Sequence, residues 1–430
     1  MPKQQKFYGW TLLGVLFCLD FVNMGFPYYG GSAIINGFMT HDIPMSASMR
    51  GLGFTLINLS LGAAAVVVAM SILKFGLRAT FVFGSAMIGV GALYMGLYAS
   101  KPWEYLLVFG VVMGAGISFA TLVPAFTVVA RWFRQYRGRA MGIAVSASGF
   151  AGLSAPMLGK VIRAHGNNWR LGWFVVAGAV MLAGILAFLF VKESPEAMGQ
   201  FVDGIPPEQQ SKTTRTDALA TKYPWTPAQA YRTGAYWMIA VAGIVSAFPF
   251  FLFIAHWTRR LTGVGFSPAT AEWALSVLTI GTLLGRWLGG LLMDFINARV
   301  AFVLGLAVYF AGSYLAIVAR PGGLWVAYLA SLLNGAAYGW AYVCVGTMTA
   351  HYYGPAAFPK LYGMMTLLVS VCASPAGVAG GWIFDSYKSY TPAFELDALL
   401  AAVGIVAVLF AAMPKPHVEQ SAETGQAAAR

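Results

Sequence analysis

A single arginine lies within the long apolar stretch LSVLTIGTLLGRWLGGLLMD. This residue, Arg286, lies about two helical turns before Asp294. A guanidinium in the middle of a bilayer costs about 2.5–3.5 kcal/mol on insertion scales, so it normally faces the interior of a helix bundle or water. Its planar donors suit bidentate binding of a carboxylate. The sequence therefore predicts that Arg286 binds an anion. The alternative is that its side chain extends to the membrane surface or pairs with Asp294.

Two residues in apolar stretches are candidates for binding a proton. Asp20, in LFCLDFVNMGF, is predicted to be the only acidic residue well inside a membrane span, and an intramembrane carboxyl group indicates function by default. It would exchange a proton, pair with Arg286, or accept a hydrogen bond from a backbone donor. His256, in FPFFLFIAHWTRR, titrates near neutral pH, although a lone histidine at a helix end is more often an interface residue. Asp20 and His256 are the predicted proton-coupling residues.

Polar and aromatic side chains recur at a spacing of four residues in another apolar stretch. Asn334, Tyr338 and Tyr342 would share one face of a helix. The tyrosine hydroxyls could donate to a carboxylate while the rings contact its alkyl end. The alternative is ordinary helix packing with satisfied hydroxyls. Tyr28, beside Pro27, is a similar binding candidate from the first half of the chain.

The composition places these residues in a membrane. Of 430 residues, 59% are hydrophobic and 10% are charged, and the mean hydropathy is +0.69. A soluble protein carries about 25% charged residues, so most of this surface must face lipid. The net charge of +12 does not indicate nucleic-acid binding, because the basic residues fall in short loops between apolar runs. Three cysteines, all in apolar runs, predict neither a disulfide framework nor a metal site.

Twelve apolar runs are long enough to cross a bilayer as helices, which takes about 20 residues each. We predict an all-α integral membrane protein with an N-terminal bundle at 1–192 and a C-terminal bundle at 233–413. A cytoplasmic linker at 193–232, which ends in a short surface helix, connects the bundles. A cytoplasmic tail follows at 414–430. Most of the 27 Lys and Arg residues fall on the side that holds both termini, which predicts a multi-pass protein of the cell (inner) membrane with cytoplasmic termini. The predicted spans are 8–38, 49–73, 78–99, 103–133, 139–164, 171–192, 234–258, 269–292, 299–319, 323–350, 361–384 and 393–413.

The two halves of the chain are weakly repeated. Ala130-Arg131-Trp132-Phe133 corresponds to Ala350-His351-Tyr352-Tyr353, and Ser154-Ala155-Pro156 corresponds to Ser374-Pro375-Ala376, both at an offset of about 220 residues. Two six-helix halves with a site at their interface are typical of transporters that work by alternating access. Arg286 has no charged counterpart in the first half, so the charge breaks this symmetry.

The loop from Gly289 through Asp294 to Arg299 resembles the inter-helix signature of the major facilitator superfamily. Its copy in the first half, 74–78, keeps a glycine and Arg78 but lacks the aspartate. In that family the loop is a cytoplasmic gating contact, so the resemblance implies gating functions for Asp294, Arg299 and Arg78. It also implies a fold of 12 transmembrane helices in two pseudo-symmetric six-helix bundles.

More specific motifs resemble the monocarboxylate transporter and oxalate:formate antiporter families. They are Phe26-Pro27, Pro124-Ala125-Phe126-Thr127, Arg131-Trp132-Phe133 and Gly285-Arg286. In both families the matching arginine binds the substrate carboxylate, and Tyr342 matches a site aromatic of the antiporters. The second cation of each family is missing, because Val369 and Tyr28 stand where a lysine would be expected. One fixed positive charge suits one carboxylate better than two.

We therefore predict a secondary active transporter that couples protons to a monocarboxylate such as lactate or pyruvate. The alternatives are an exchanger of organic anions of the oxalate:formate type, an exporter of a neutral small molecule, and a receptor or membrane enzyme. The spans contain no converging His/Asp/Glu set of the kind that catalysis needs, so no enzyme activity, cofactor or metal is expected. The expected partners are the substrate, protons and the lipid bilayer, and the chain is expected to be a monomer.

Overall fold

The computed structural model describes residues 7–45, 47–150, 154–206, 221 and 223–415. Within this part of the chain every regular element is a helix. Residues 207–220 and 222 of the predicted linker, and residues 416–430 of the predicted tail, lie outside the described residues. The predicted surface helix at the end of the linker is present at Pro227–Tyr231, where the side chain of Thr226 accepts a hydrogen bond from the backbone N–H of Gln229.

The first half of the chain contains six spanning segments, which we name α1 to α6. Helix α1 is Gly9–Met24 and continues as the π-helix Gly25–Ile35 and the short helix Asn36–Met39. Helices α2 (47–75) and α3 (77–97) together make up the continuous helical stretch Ala47–Leu97. Helix α4 covers Pro102–Trp132, α5 comprises Arg137–Phe150 and Ser154–Ala164, and α6 is Trp169–Phe190.

The second half contains the corresponding segments α7 to α12. Helix α7 is Gly234–Gly263; α8 is Pro268–Phe295; α9 is Ala298–Val318; α10 (324–353) and α11 (355–373) form Leu324–Ala373, and α11 continues as Ala376–Tyr387; α12 is Thr391–Phe410. Two short 3₁₀ turns, Glu196–Met198 and Val202–Gly204, follow α6.

Two glycines allow consecutive spans to follow each other without a loop. Gly76, with φ 85° and ψ 174°, separates α2 from α3, and Gly354, with φ 74° and ψ 170°, separates α10 from α11. This region of backbone space is essentially restricted to glycine. Nine continuous helical stretches of the described residues are long and apolar enough to cross a membrane. Two of these nine stretches each contain two spans, which are separated at Gly76 and at Gly354. With α5, which is counted in addition, the total is the predicted twelve spans.

Close packing of small residues joins the two halves. Gly138 and Gly142 of α5 lie against Gly290 and the backbone of Arg286 on α8. On the other side of the bundle, Gly363 of α11 lies against Ala65 of α2. Small residues let helix backbones approach closely in a membrane, where apolar side chains gain nothing by leaving lipid.

These contacts lie nearer to one end of the bundle, which we call the terminal side. It holds both ends of the described chain: Tyr8 contacts the Phe190 carbonyl, and the Tyr352 hydroxyl donates to the Ala411 carbonyl. Among the glycine contacts that join the two halves of the chain, those of Gly149 with Leu283 and of Gly62 with Ser370 lie farthest from the terminal side. Even these four residues lie closer to the terminal end of their helices than to the opposite end. The structure is therefore packed together at its terminal side.

The turn at Gly354 makes a prediction about stability. An added Cβ would meet only Thr221 at 3.8 Å, so Gly354→Ala should act through backbone strain and not through a clash. We expect a loss of about 1–3 kcal/mol in the free energy of unfolding, seen as a lower melting temperature of the purified protein in detergent. Gly14→Ala is the matched control, because no atom lies within 4 Å of its added Cβ and its backbone is helical. Equal melting temperatures for the two variants would contradict the proposed strain.

Candidate binding site between the two halves

Arg286 reaches from α8 into the first half of the chain. Its Nη1 donates to the Val145 carbonyl at 2.6 Å and to the Ser148 hydroxyl, both on α5. The side chain is 6% exposed, and its Nε has no hydrogen-bond partner among the described residues. The guanidinium also lies over the Tyr342 ring, 5.3 Å from its centroid, at the range of a cation–π interaction. The side chain therefore crosses the interface of the two halves and does not extend to the membrane surface.

Asp20 of α1 shares Ser148 with Arg286. The Asp20 Oδ2 atom accepts a hydrogen bond from the Ser148 backbone N–H at 2.9 Å, and the carboxyl group is 6% exposed. Asp20 and Arg286 also interact electrostatically. The predicted backbone hydrogen bond to Asp20 is thus present, and Ser148 contacts both charged groups, whereas direct pairing of Asp20 with Arg286 stays a prediction.

Sequence reasoning did not find Ser148. A serine among small residues in AVSASGF is usually a packing residue in a membrane helix. The available signal was the cluster Ser146, Ser148 and Gly149, which interrupts the apolar run of α5.

An aromatic wall extends from Arg286 through α10. The Tyr338 ring stacks on Phe250 of α7 with centroids 3.7 Å apart and planes 8° apart. Tyr342 lies 5.9 Å from Tyr338 and 6.1 Å from Phe126 of α4. Both tyrosines are half-buried, so they retain surface beside Arg286. The structure therefore brings Tyr338 and Tyr342 together with Arg286, and the rings of α4 and α7 complete the wall.

Tyr28 and its neighbour Tyr29 have different partners, and Tyr28 interacts electrostatically with Tyr338 of the aromatic wall. Its hydroxyl donates to the Asn58 Oδ1 atom at 2.9 Å on α2, whereas Tyr29 interacts electrostatically with both Arg286 and Asp20. Tyr29 is therefore the residue of this segment that the structure places with the charged pair. The chain is π-helical here. Because a π-helix has a wider turn than an α-helix, the side chains that face inward differ from those that α-helical spacing predicts. Single π-helical turns are frequent at functional sites.

The prediction that Asn334 lines the site with Tyr338 and Tyr342 is corrected by its contacts. The Asn334 side chain donates to the Ala330 carbonyl at 2.8 Å and accepts from the Ser313 hydroxyl at 3.3 Å on α9. Each step of four residues turns a helix by about 40° beyond a full revolution, so Asn334 and Tyr342 differ by about 80° in direction. Asn334 therefore lies in the α9–α10 interface.

His256 lies apart from the charged pair. Its Nε2 is 2.7 Å from the Gly377 carbonyl, and its ring is 5.1 Å from that of Tyr390. These contacts join α7 to the segments that precede α12. The described contacts of His256 include neither Arg286 nor Asp20, which matches the predicted alternative of an interface residue.

One acidic residue was missed. The prediction that Asp20 is the only acidic residue well inside a span is wrong, because Asp397 of α12 is also within a span and is 0% exposed. It lies near the start of the predicted apolar run, where a carboxyl group is expected to reach water. Packing of α12 against α7 and α9 buries it instead.

The three predicted gating residues have different surroundings. Asp294 crosses between the halves: it accepts from the backbone N–H of Gly138 at 2.8 Å and forms an ion pair with Arg139 at 2.9 Å. These contacts place a carboxylate at the N-terminus of α5, where the helix dipole favours negative charge. Asp294 therefore holds α8 and α5 together on the terminal side, and Arg139 is a partner that sequence reasoning did not identify.

Arg78 and Arg299 lie within their own halves. The Arg78 Nε donates to the Val191 carbonyl at 3.1 Å, and its backbone N–H donates to Glu193 at 3.0 Å. Arg299 interacts with Tyr352 of α10. Neither of these described contacts joins the two halves, so Asp294 alone among the three predicted residues bridges them.

Twelve spans in two halves, with buried charged groups at their interface, are typical of membrane transporters. The family model for the Major Facilitator Superfamily matches residues 13–265 and 261–429. The chain belongs to this superfamily, and both the family and the fold indicate a transporter and not an enzyme.

Curated relatives share about a quarter of their residues with this chain. An MFS-type transporter 1 of Ophiocordyceps sp. (strain BCC 1869) is 25% identical over 76% of this chain and 71% of the relative. Monocarboxylate transporter 13 of Bos taurus is 26% identical over 78% and 74%, and the oxalate:formate antiporter of Oxalobacter formigenes is 24% identical over 78% and 76%. The predicted resemblance to the monocarboxylate transporter and oxalate:formate antiporter families is thus confirmed.

A solved structure has the same fold. The E. coli fucose:proton symporter superposes with a TM-score of 0.71 at 13% identity, covering 95% of this chain and 100% of that chain. The predicted major-facilitator fold is confirmed. At this identity the likeness shows the fold alone.

The bridge between Asp294 and α5 makes a prediction about conformation. Asp294→Asn keeps the shape of the side chain but removes its charge, which weakens the contacts with Arg139 and with the N-terminus of α5. Since charge-assisted hydrogen bonds contribute about 1.5–3 kcal/mol, the terminal side should open more often. Spin labels at the exposed positions Lys74 and Lys360, in a background without native cysteines, should show a longer mean distance.

The matched control for this experiment is Asp385→Asn, since Asp385 is an exposed acidic residue on the segment after α11. It should leave the label distance unchanged. An unchanged distance in Asp294→Asn as well would show that this bridge does not restrain the terminal side.

Proposed function

We propose that this chain is a proton-coupled symporter of a small monocarboxylate such as lactate or pyruvate, and that Arg286 binds the carboxylate. The observation that carries the proposal is the burial of Arg286 at the interface of the halves, with its Nε unpartnered among the described residues. Leaving a buried charged donor unsatisfied is costly, and a carboxylate oxygen would satisfy it. Relatives named monocarboxylate transporters support the same substrate class.

The charge balance of the site supports coupling to a proton. With Asp20 ionised, Asp20 and Arg286 together are neutral. With Asp20 protonated, the pair carries one positive charge, which matches one carboxylate. A bound anion disfavours the ionised form of a neighbouring carboxyl group, so substrate binding favours proton uptake by Asp20. Substrate and proton would then cross the membrane together.

The aromatic wall supports a substrate with a short apolar part. Tyr338 and Tyr342 offer ring faces and hydroxyl groups beside Arg286. In this proposal the hydroxyls contact the polar end of the substrate and the rings contact its alkyl end. Tyr28 supports Tyr29 through their ring contact at 5.1 Å.

Alternating access would require the terminal side to open. The present conformation is packed there through Asp294 and the glycine contacts of α5 with α8. We assign this side to the cytoplasm and the protein to the cell (inner) membrane, on the distribution of basic residues. The moving bodies in this proposal are residues 1–192 and 233–413, which the linker 193–232 connects.

Exchange of organic anions is the second candidate. It is favoured by the hydrogen bond from the Ser148 backbone to Asp20, which stabilises the ionised carboxylate. In that case Asp20 would position Ser148 and Arg286 and would not titrate during transport. The relative named oxalate:formate antiporter supports this mode.

Removal of the arginine charge tests substrate binding. We expect lactate and pyruvate to raise the melting temperature of the wild-type protein more than oxalate or succinate do. Arg286→Gln should abolish this shift, and Arg286→Lys should weaken binding by about 10- to 100-fold, because a lysine cannot form the bidentate contact. An unchanged shift in both variants would show that Arg286 does not bind the carboxylate and would favour a neutral substrate.

Removal of the Asp20 charge separates symport from exchange. In proteoliposomes loaded with unlabelled lactate, Asp20→Asn should still take up labelled lactate by exchange. Without internal lactate, an imposed pH gradient should drive uptake by the wild type and not by Asp20→Asn, because the variant has no carboxyl group to carry the proton. Asp385→Asn is the control and should match the wild type. Gradient-driven accumulation by Asp20→Asn would exclude this coupling role.

A further inference from the structure

A second carboxyl group is buried within a membrane span. Asp397 of α12 is 0% exposed, and neither of its oxygens has a hydrogen-bond partner in the described part of the chain. The hydroxyl of Tyr309 on α9 is likewise buried and unpartnered. The two groups interact electrostatically. An ionised carboxylate with no partner is strongly disfavoured in such surroundings.

No described cation offsets the charge that Asp397 would carry. On α9 the facing titratable group is Tyr309, and through it Tyr338 on α10. On α7 the titratable group near this part of α12 is His256, which lies against Tyr390, before the start of α12. Glu395 on α12 itself and Asp385 on the preceding segment are both exposed.

Asp397 faces the part of α7 that contains Pro249. Phe394, one turn before Asp397, packs on Phe253 with centroids 5.5 Å apart, and Gly404, two turns after it, lies against Val245. Asp397 therefore lies level with the residues between these two contacts on α7. A proline inside a helix cannot donate to the carbonyl four residues earlier, so α7 can bend there at low cost.

Two routes connect Asp397 to the proposed substrate site. Tyr309 packs in one cluster with Tyr338, which lies in the aromatic wall beside Arg286. Phe250, the residue after Pro249, also stacks on Tyr338. A substrate that shifts Tyr338 or Phe250 would therefore change the surroundings of Asp397.

We propose that Asp397, with Tyr309 beside it, is a second proton-binding site of this transporter. Asp397 holds its proton in the present conformation. When α7 bends at Pro249 and water reaches the carboxyl group, the O–H bond breaks, the proton passes to water and the carboxylate remains. The carboxylate takes up a proton again when α7 straightens and water leaves, so Asp397 would carry a proton in addition to that of Asp20. This role in transport rests on the proposed proton-coupled function, whereas proton binding by Asp397 can be measured without any substrate.

Infrared spectroscopy of the purified protein tests proton binding directly. We expect the carbonyl stretching band of a protonated carboxyl group to persist at neutral pH in the wild type and in Asp385→Asn, and to lose one component in Asp397→Asn. The melting temperature of Asp397→Asn should not fall, because a neutral group replaces a neutral group of the same size. Identical bands in the wild type and Asp397→Asn would overturn the proposal.

A second variant keeps the test decisive if Asp397→Asn does not fold. Tyr309→Phe removes the hydroxyl group beside Asp397 and should shift the pH midpoint of the same band. An unchanged midpoint would overturn the proposed proton-binding site of Asp397 and Tyr309.

Transport in proteoliposomes tests coupling, with labelled lactate as the probe. Asp397→Asn should lose accumulation driven by a pH gradient and keep lactate exchange. Gradient-driven accumulation equal to that of the wild type would overturn a role in coupling. If the wild type itself moves neither lactate nor pyruvate, the proposed function fails, and the infrared result still decides whether Asp397 binds a proton.

Discussion

The structure depends on the cost of placing ionised groups where water is scarce. Arg286 can remain in the middle of the bundle because the Val145 carbonyl, the Ser148 hydroxyl and the Tyr342 ring replace part of its hydration. These groups come from both halves of the chain, so the charge is stabilised only while the halves are together. The same cost keeps Asp20 close to Ser148. In the proposed function, the anion site and the interface between the two moving halves are therefore one set of contacts.

Small residues make this arrangement possible. The backbones of α5 and α8 approach closely at Gly138, Gly142 and Gly290, and this brings Arg286 within reach of the α5 carbonyl groups. Larger side chains at these positions would hold the helices apart and leave the guanidinium without acceptors. Asp294 adds an electrostatic contact at the end of the same helix pair. Close packing and charge thus act on one interface.

Much of the fold and part of the site follow from the sequence. The twelve spans are predictable because the cost of exposing polar groups to lipid imposes long apolar runs. Arg286 is conspicuous for the same reason, and Tyr338 and Tyr342 follow from regular helical spacing. Ser148 and Asn334 are not predictable in this way, since their surroundings depend on which helices meet and on the accumulated rotation of each helix. The position of Tyr29 near the charged pair depends on a π-helical turn that no local sequence pattern indicates. The burial of Asp397 depends on how α12 packs against α7 and α9.

The turn at Gly354 has a mechanical consequence for the site. Because one residue connects α10 to α11, these two helices have little freedom to separate at the terminal side. In the proposed alternating-access movement, Tyr338 and Tyr342 of α10 and Tyr362 of α11 would therefore move together. Phe126 of α4 contacts Tyr342 and Tyr362 from the other half, so these ring contacts would change in that movement. In the proposed transport cycle, the substrate would therefore meet α10 and α11 as one unit, while its contacts with the first half of the chain would change.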